Sequence, residues 1–356
     1  MYNISRRRLV QLSLLLCIGL GVVAAGYFFL TRNPDFANRL LSRREPVFSP
    51  YLDVNVAIHS IAPNELIFIE GDSRSIIGAP KIPLPEKLKS LTLAFATGEC
   101  GNEHWGGLSA TEMAQANLPA LQKANIGYII STGGVDGVFS CTTEEGMKKF
   151  VALYDTGHLI GFDFNIEVDQ PEPLIENLVE QVRLAMQRHP KLRFSFTLPS
   201  LASTRQGRSS LNPHGEMVMR VIQRAGLKNY FVNLMVMNFG GPQSGNCVVR
   251  GDQCDMGASA IQAVKNFSKQ YDLPLNRIEV TPMIGMNDVK QNVFTLADAQ
   301  KLSSFVRSSN LAGLHFWSLN RDGPCDKQFP AVSSGCSGLE GPRRLDFTQT
   351  FGLDLY

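Results

Sequence analysis

Leu159-Ile160-Gly161-Phe162-Asp163-Phe164-Asn165-Ile166-Glu167 sets an acid, an amide and an acid at every second position of an otherwise apolar run. Side chains alternate faces along an extended strand, so Asp163, Asn165 and Glu167 share one face and Phe162, Phe164 and Ile166 the other. The apolar face suits packing on a layer of helices. The polar face then points to the interior of a curved sheet, with Glu167 nearest the open end. Three polar groups on an inner face are costly unless hydrogen-bonded to one another. A row of carboxylate, amide and carboxylic acid can raise one carboxyl's pKa and orient it. A purely structural hydrogen-bonded row is the alternative.

Seven further apolar runs bounded by Gly, Pro and Asn surround this one. Together they start near Leu52, Leu91, Ile126, Leu159, Leu192, Phe231, Ile278 and Leu311. Amphipathic stretches lie between them at 111–124, 144–154, 172–188, 216–225, 257–271 and 296–309. Strands alternating with helices predict parallel β-α-β units. Eight such units favour an α/β fold of the TIM (β/α)8 barrel type over an open doubly wound sheet, and chemistry in such a barrel sits at the C-terminal ends of the strands. No Gly-x-Gly-x-x-Gly follows the first run, and neither a phosphate-binding Walker loop nor a Gly-x-Ser-x-Gly elbow occurs.

The chain has 356 residues, 34 basic against 32 acidic, which argues against a nucleic-acid partner held on a basic face. A mean hydropathy of -0.04 excludes a polytopic membrane protein. Residues 9–30 nevertheless carry no charge and are long enough to cross a bilayer as one helix. Arg6, Arg7 and Arg8 before the run favour a cytoplasmic N-terminus, although Arg32, Arg39, Arg43 and Arg44 follow it. The division expected is a cytoplasmic end (1–8), a transmembrane signal anchor (9–30), a tether (31–46) and the barrel (47–356). A signal peptide cleaved after Val23-Ala24-Ala25 is the alternative to the anchor.

Six cysteines follow the apolar segment, and an even number there fits an oxidising, extracytoplasmic compartment such as the bacterial periplasm or cell surface. Cys247 and Cys254 enclose a short loop, as do Cys325 and Cys336. Cys100 with Cys141 is then the remaining pair, and six buried free thiols are the alternative. Neither Cys-x-x-Cys nor a His pair at zinc spacing is present, so no metal or cofactor is implied.

Phe162-Asp163-Phe164-Asn165-Ile166-Glu167 resembles the Asp-x-Asp-x-Glu motif of glycoside hydrolase family 18, which holds chitinases and endo-β-N-acetylglucosaminidases. Ser131-Thr132-Gly133-Gly134 is similar to that family's Ser-x-Gly-Gly. Met235-Val236-Met237-Asn238-Phe239-Gly240, His315-Phe316-Trp317-Ser318-Leu319-Asn320-Arg321-Asp322 and Cys100…Trp105-Gly106-Gly107 resemble its bacterial chitinase branch. The resemblance spans roughly residues 51–322. It implies substrate-assisted, retaining hydrolysis of a chitin-like, N-acetylglucosamine-containing glycan. Glu167 would protonate the leaving oxygen, the substrate's 2-acetamido carbonyl would attack the anomeric carbon, and Asp163 and Asn165 would support Glu167. Trp317 would floor the sugar pocket, Met237, Asn238 and Phe239 would contact substrate, and Trp105 would line a neighbouring subsite. Four positions depart from the family: Asn165 and Asn238 stand where Asp is usual, Phe239 where Tyr is, and Ile160 where the extended motif begins with Asp. Asn165 cannot take up the charge that balances an oxazolinium. Family 85 endo-β-N-acetylglucosaminidases nonetheless orient the acetamide with Asn. A catalytically weakened, lectin-like glycan-binding barrel is the alternative to a hydrolase.

Overall fold

The computed structural model describes residues 45–54, 67–68, 74–75, 85, 88–325 and 332–355. We number the barrel strands β1 (Val47–Phe48 continuing as Tyr51–Asp53), β2 (Ser90–Ala96), β3 (Gly127–Gly133), β4 (Leu159–Asn165), β5 (Arg193–Pro199), β6 (Phe231–Met235), β7 (Ile278–Thr281) and β8 (Gly313–Leu314). The helices are α1 (Ala110–Lys123), α2 (Glu144–Tyr154), α3 (Glu172–Arg188), α4 (Pro213–Arg224), α5 (Met256–Tyr271), α6 (Leu296–Ser308) and α7 (Asp346–Leu355). Each strand pairs in parallel with the next. The first half of β1 pairs with β8 and its second half with β2, so the sheet returns to the segment on which it began. The closed parallel barrel expected from the alternation is what forms.

Local chemistry accounts for the helix boundaries. Ser109 and Glu112 form a reciprocal capping box at α1, as do Thr295 and Asp298 at α6. The α4 helix starts three residues before the expected 216 because Asn212 caps it and Pro213 occupies its first turn. The outward faces of the strands supply the apolar contacts. Phe162 of β4 meets Phe150 of α2 with ring centroids 4.9 Å apart, and Phe164 meets Phe196 of β5 at 5.6 Å. Phe162 is fully buried, and its truncation to Ala should cost about 3–5 kcal/mol.

The inside of the barrel is polar. Tyr51, Ser131, Asp163, Ser195, Thr197, Asn233 and Thr281 form one connected hydrogen-bonded layer, and Arg193, Glu279 and His315 a charged one. Three disulfides, Cys100–Cys141, Cys247–Cys254 and Cys325–Cys336, match the expected pairing. All lie in segments that follow strands, at the end of the barrel where those strands terminate. The expected membrane-spanning segment (9–30) and the tether as far as residue 44 lie outside the described residues. Among the described residues no helix is long and apolar enough to cross a membrane.

Candidate active site

The strand ends open into a cleft of about 380 Å³. Every barrel strand, or the segment just after it, contributes to its lining. Tyr51, Phe95, Val135 and Glu167 come from the first four, and Thr197, Met237, Asp288 and Trp317 from the last four. Trp317 and Phe95 stack with centroids 5.4 Å apart and planes at 17°, and Tyr51 stands 6.0 Å from Trp317. This aromatic floor offers a flat apolar face on which the C–H face of a sugar ring can rest.

Asp163, Asn165 and Glu167 point inward, as the alternation requires. Asp163 lies deepest, 2% exposed, and accepts four hydroxyl hydrogen bonds: Tyr51 Oη at 2.8 Å, Ser131 Oγ at 2.7 Å, Ser195 Oγ at 2.9 Å and Thr197 Oγ1 at 2.6 Å. Burial raises its pKa, and these donors offset only part of the rise. Ser131 therefore serves β4 directly. Gly133 and Gly134, both at positive φ, let the chain turn across the mouth of that strand. A Cβ at Gly133 would come within 2.1 Å of the Asn165 carbonyl oxygen, and the Gly134 N–H donates to that same oxygen at 3.2 Å. The Ser-x-Gly-Gly segment is thus a brace for the acidic strand.

Asn165 donates from Nδ2 to Glu167 Oε1 at 2.8 Å, while its Oδ1 is buried and has no hydrogen-bond partner among the described residues. Burial raises the Glu167 pKa, the Asn165 hydrogen bond pulls it back, and the charges of Asp136, Asp288 and Asp163 add to the rise; the result is about 7. A carboxyl at that value is protonated and deprotonated in comparable amounts near neutrality, as a group that must first give and then take a proton requires.

The remaining sequence-named residues divide. Trp317, Met237 and Asn238 line the cleft. Phe239 is 5% exposed and packs into the apolar core instead. Trp105 requires a correction: it is fully buried, its indole N–H donates to Tyr154 Oη at 2.9 Å, and Tyr154 donates onward to Glu103 at 2.9 Å. It anchors the loop after β2 to α2 and does not reach the cleft. The Asn238 side chain, expected to contact substrate, is engaged by a neighbouring loop. At φ 53° it sends Nδ2–H to Asp288 Oδ2 at 2.7 Å and accepts the Val289 N–H at 3.2 Å. Among the lining residues that the sequence reading did not assign to the site are Tyr51, Phe95, Asp288 and Arg321. Tyr51 and Phe95 could have been found by extending strand alternation to β1 and β2. Asp288 and Arg321 lie beyond strand ends, where no periodicity marks them.

No protein-family model matches the chain. It is 28% identical over 276 residues to a probable bifunctional chitinase/lysozyme of Escherichia coli K12, covering 71% of this chain and 30% of that protein. It is 26% identical over 255 residues to endochitinase 11 of Metarhizium anisopliae, covering 65% of this chain and 47% of that one. The match thus spans less than half the length of either curated relative. Among solved structures, the catalytic domain of a Pyrococcus furiosus chitinase superposes with a TM-score of 0.64 at 23% identity, covering 88% of this chain and 95% of that one. A class V chitinase from tobacco superposes with a TM-score of 0.52 at 10% identity, covering 88% and 99%. These superpositions establish the shared barrel, and the sequence matches tie it to chitinases. In sequence the chain is thus similar to proteins named chitinase/lysozyme and endochitinase, and in fold it shares the barrel of solved chitinases.

Proposed function

We propose that the chain hydrolyses β-linked N-acetylglucosamine glycans with retention of configuration, using the substrate's own acetamide as nucleophile. The observation that carries this reading is Glu167, half-buried at the mouth of the barrel beside an aromatic floor, with a pKa of about 7. Glu167 gives its proton to the glycosidic oxygen as the bond to the anomeric carbon breaks. The acetamide oxygen closes on that carbon to form an oxazolinium. Water then opens it and returns a proton to Glu167. Asn165 suits a positioning role, because its Nδ2–H holds one Glu167 oxygen at 2.8 Å. The names of the relatives, chitinase/lysozyme and endochitinase, agree with this substrate class.

Turnover of a chromogenic chitobioside by the wild-type protein and by Glu167→Gln tests the proposal. Loss of about 10²–10⁴-fold in kcat is expected for the variant. An identical baseline in both would overturn hydrolysis, and binding of chitotetraose without turnover would favour a glycan-binding role. We also place the barrel outside the cytoplasm on an N-terminal anchor, a reading supported by the uncharged run at 9–30 and by three disulfides. Recovery of the full chain in the soluble fraction of cells, with its cysteines reduced, would contradict it.

A further inference from the structure

Substrate-assisted cleavage creates a cation, and this chain has amides at the two positions where family 18 usually offers Asp beside it, Asn165 and Asn238. Among the described residues lining the cleft, two are acids: Glu167, which is occupied with proton transfer, and Asp288. Asp288 stands at the tip of a hairpin between β7 and α6 whose arms pair Gly285–Met286 with Val293–Phe294. Its placement is fixed from several sides. Asn238 donates to its Oδ2 at 2.7 Å and accepts the next backbone N–H, Val289, at 3.2 Å. The Asn238 N–H in turn donates to Asn287 Oδ1 at 3.2 Å, and the fully buried Asn287 side chain donates to the Met283 and Gly285 carbonyls. Beneath the hairpin, the buried Arg321 guanidinium donates to Ile284 O at 3.0 Å and to Met286 O. An aspartate at 238 would set a second carboxylate against Asp288 at hydrogen-bond distance. The amide at 238 is what lets an acid occupy 288.

We infer that Asp288 is a catalytic residue of this chain, its carboxylate accepting the acetamide N–H and balancing the positive charge of the oxazolinium. This inference rests on the hydrolytic reading above. In the first step the proton leaves Glu167 for the glycosidic oxygen, the C1–O bond breaks and the acetamide oxygen bonds to C1. Asp288 holds the N–H while that nitrogen shares the charge. Water then adds to C1, its proton passes to Glu167, and the C1–oxazoline bond opens to restore the acetamide. No co-reactant beyond water is needed.

Asp288→Asn tests this, with Asp288→Ser as a second variant should the first fail to fold. On chromogenic chitobioside, kcat should fall about 100-fold with KM nearly unchanged, the scale of losing one preorganised electrostatic partner. The thiazoline analogue of the N-acetylglucosamine oxazoline, which mimics the cyclised intermediate, should lose at least ~10-fold more affinity than chitotetraose does. Glu167 is faced by Asp163, Asp136 and Asp288 and held by Asn165. Removing the charge at 288 should therefore move the alkaline limb of the rate profile to lower pH. In the Asp288→Asn background, Asn165→Asp should restore activity, whereas Asn238→Asp should not. Wild-type kcat in both 288 variants, or equal losses of thiazoline and chitotetraose affinity, would show a mere loop latch and overturn the inference. Should the wild-type protein turn nothing over, the hydrolytic reading fails by itself. The ratio of thiazoline to chitotetraose affinities then decides for or against Asp288 alone.

Discussion

Two glutamates sit inside the same barrel with opposite fates. Glu279, on β7 near the closed end, is 1% exposed, and burial alone would drive its pKa up. Arg193, two strands away on β5, and His315 at 3.5 Å reverse this and hold it down at about 2. Glu167, at the open end, forms no ion pair among the described residues, and charge adds to the rise in its pKa through Asp136, Asp288 and Asp163. Its neighbours are an amide and three acids, and it rises to about 7. Identical side chains in one interior therefore differ by roughly five pKa units because of what the adjoining strands place opposite them. The closed end uses an ion pair to hold strands β5, β7 and β8 together. The open end withholds one, leaving a carboxyl that can exchange protons at neutral pH.

The sharpest way to break this comparison is Arg193→Met. It leaves Glu279 buried without its cation and should destabilise the fold by about 3–5 kcal/mol in urea unfolding, with activity per folded molecule unchanged. A loss under ~1 kcal/mol would mean that the closed end tolerates a lone glutamate after all. Next in size, Asp163→Asn replaces an acceptor of four hydroxyls with an amide that must itself donate. A cost of ~1–3 kcal/mol is expected, together with an acid-ward shift of the Glu167 limb, since a charge beneath it is gone.

Glu167→Gln should act in the opposite direction to Arg193→Met. Because Glu167 titrates at about 7 in the fold against an ordinary glutamate value of 4.5, the folded form binds more protons between those values, and stability falls as pH rises through them. The Gln variant should gain up to ~3 kcal/mol over wild type at pH 8, reduced by partial exposure, and nothing below about pH 4. Equal stabilities in thermal melts at pH 8 would contradict the raised pKa. Glu279 has the reverse sign. Its depressed pKa contributes stability that is complete above about 4.5 and is lost as pH falls towards about 2. Smallest of all, Trp105→Phe removes one buried indole hydrogen bond and should cost ~1 kcal/mol with kcat and KM unaltered. A change in substrate binding would return Trp105 to the site.

The two tryptophans mark where sequence reasoning holds and where it stops. Trp317 follows β8, and placing it at a strand end was sufficient to put it in the cleft. Trp105 has the same residue type in a glycine-rich loop, yet that loop folds back and buries its indole against Tyr154. Loop paths are set by long-range closure, here including the Cys100–Cys141 bridge, and neighbouring residues do not encode them. Phe239 illustrates the same limit: one position after a cleft residue, it turns into the core.

What the sequence determined alone is the periodic part. Alternation along 159–167 placed Asp163, Asn165 and Glu167 inward, and eight apolar runs alternating with helical stretches implied closure, because both are local consequences of backbone geometry. Tertiary structure alone decided how far each inner carboxyl is charged. It also brought Asn238 of one loop to Asp288 of another, 50 residues along the chain. Electrostatic energy depends on distances through space and on the water excluded between groups, and neither is set until the strands have met.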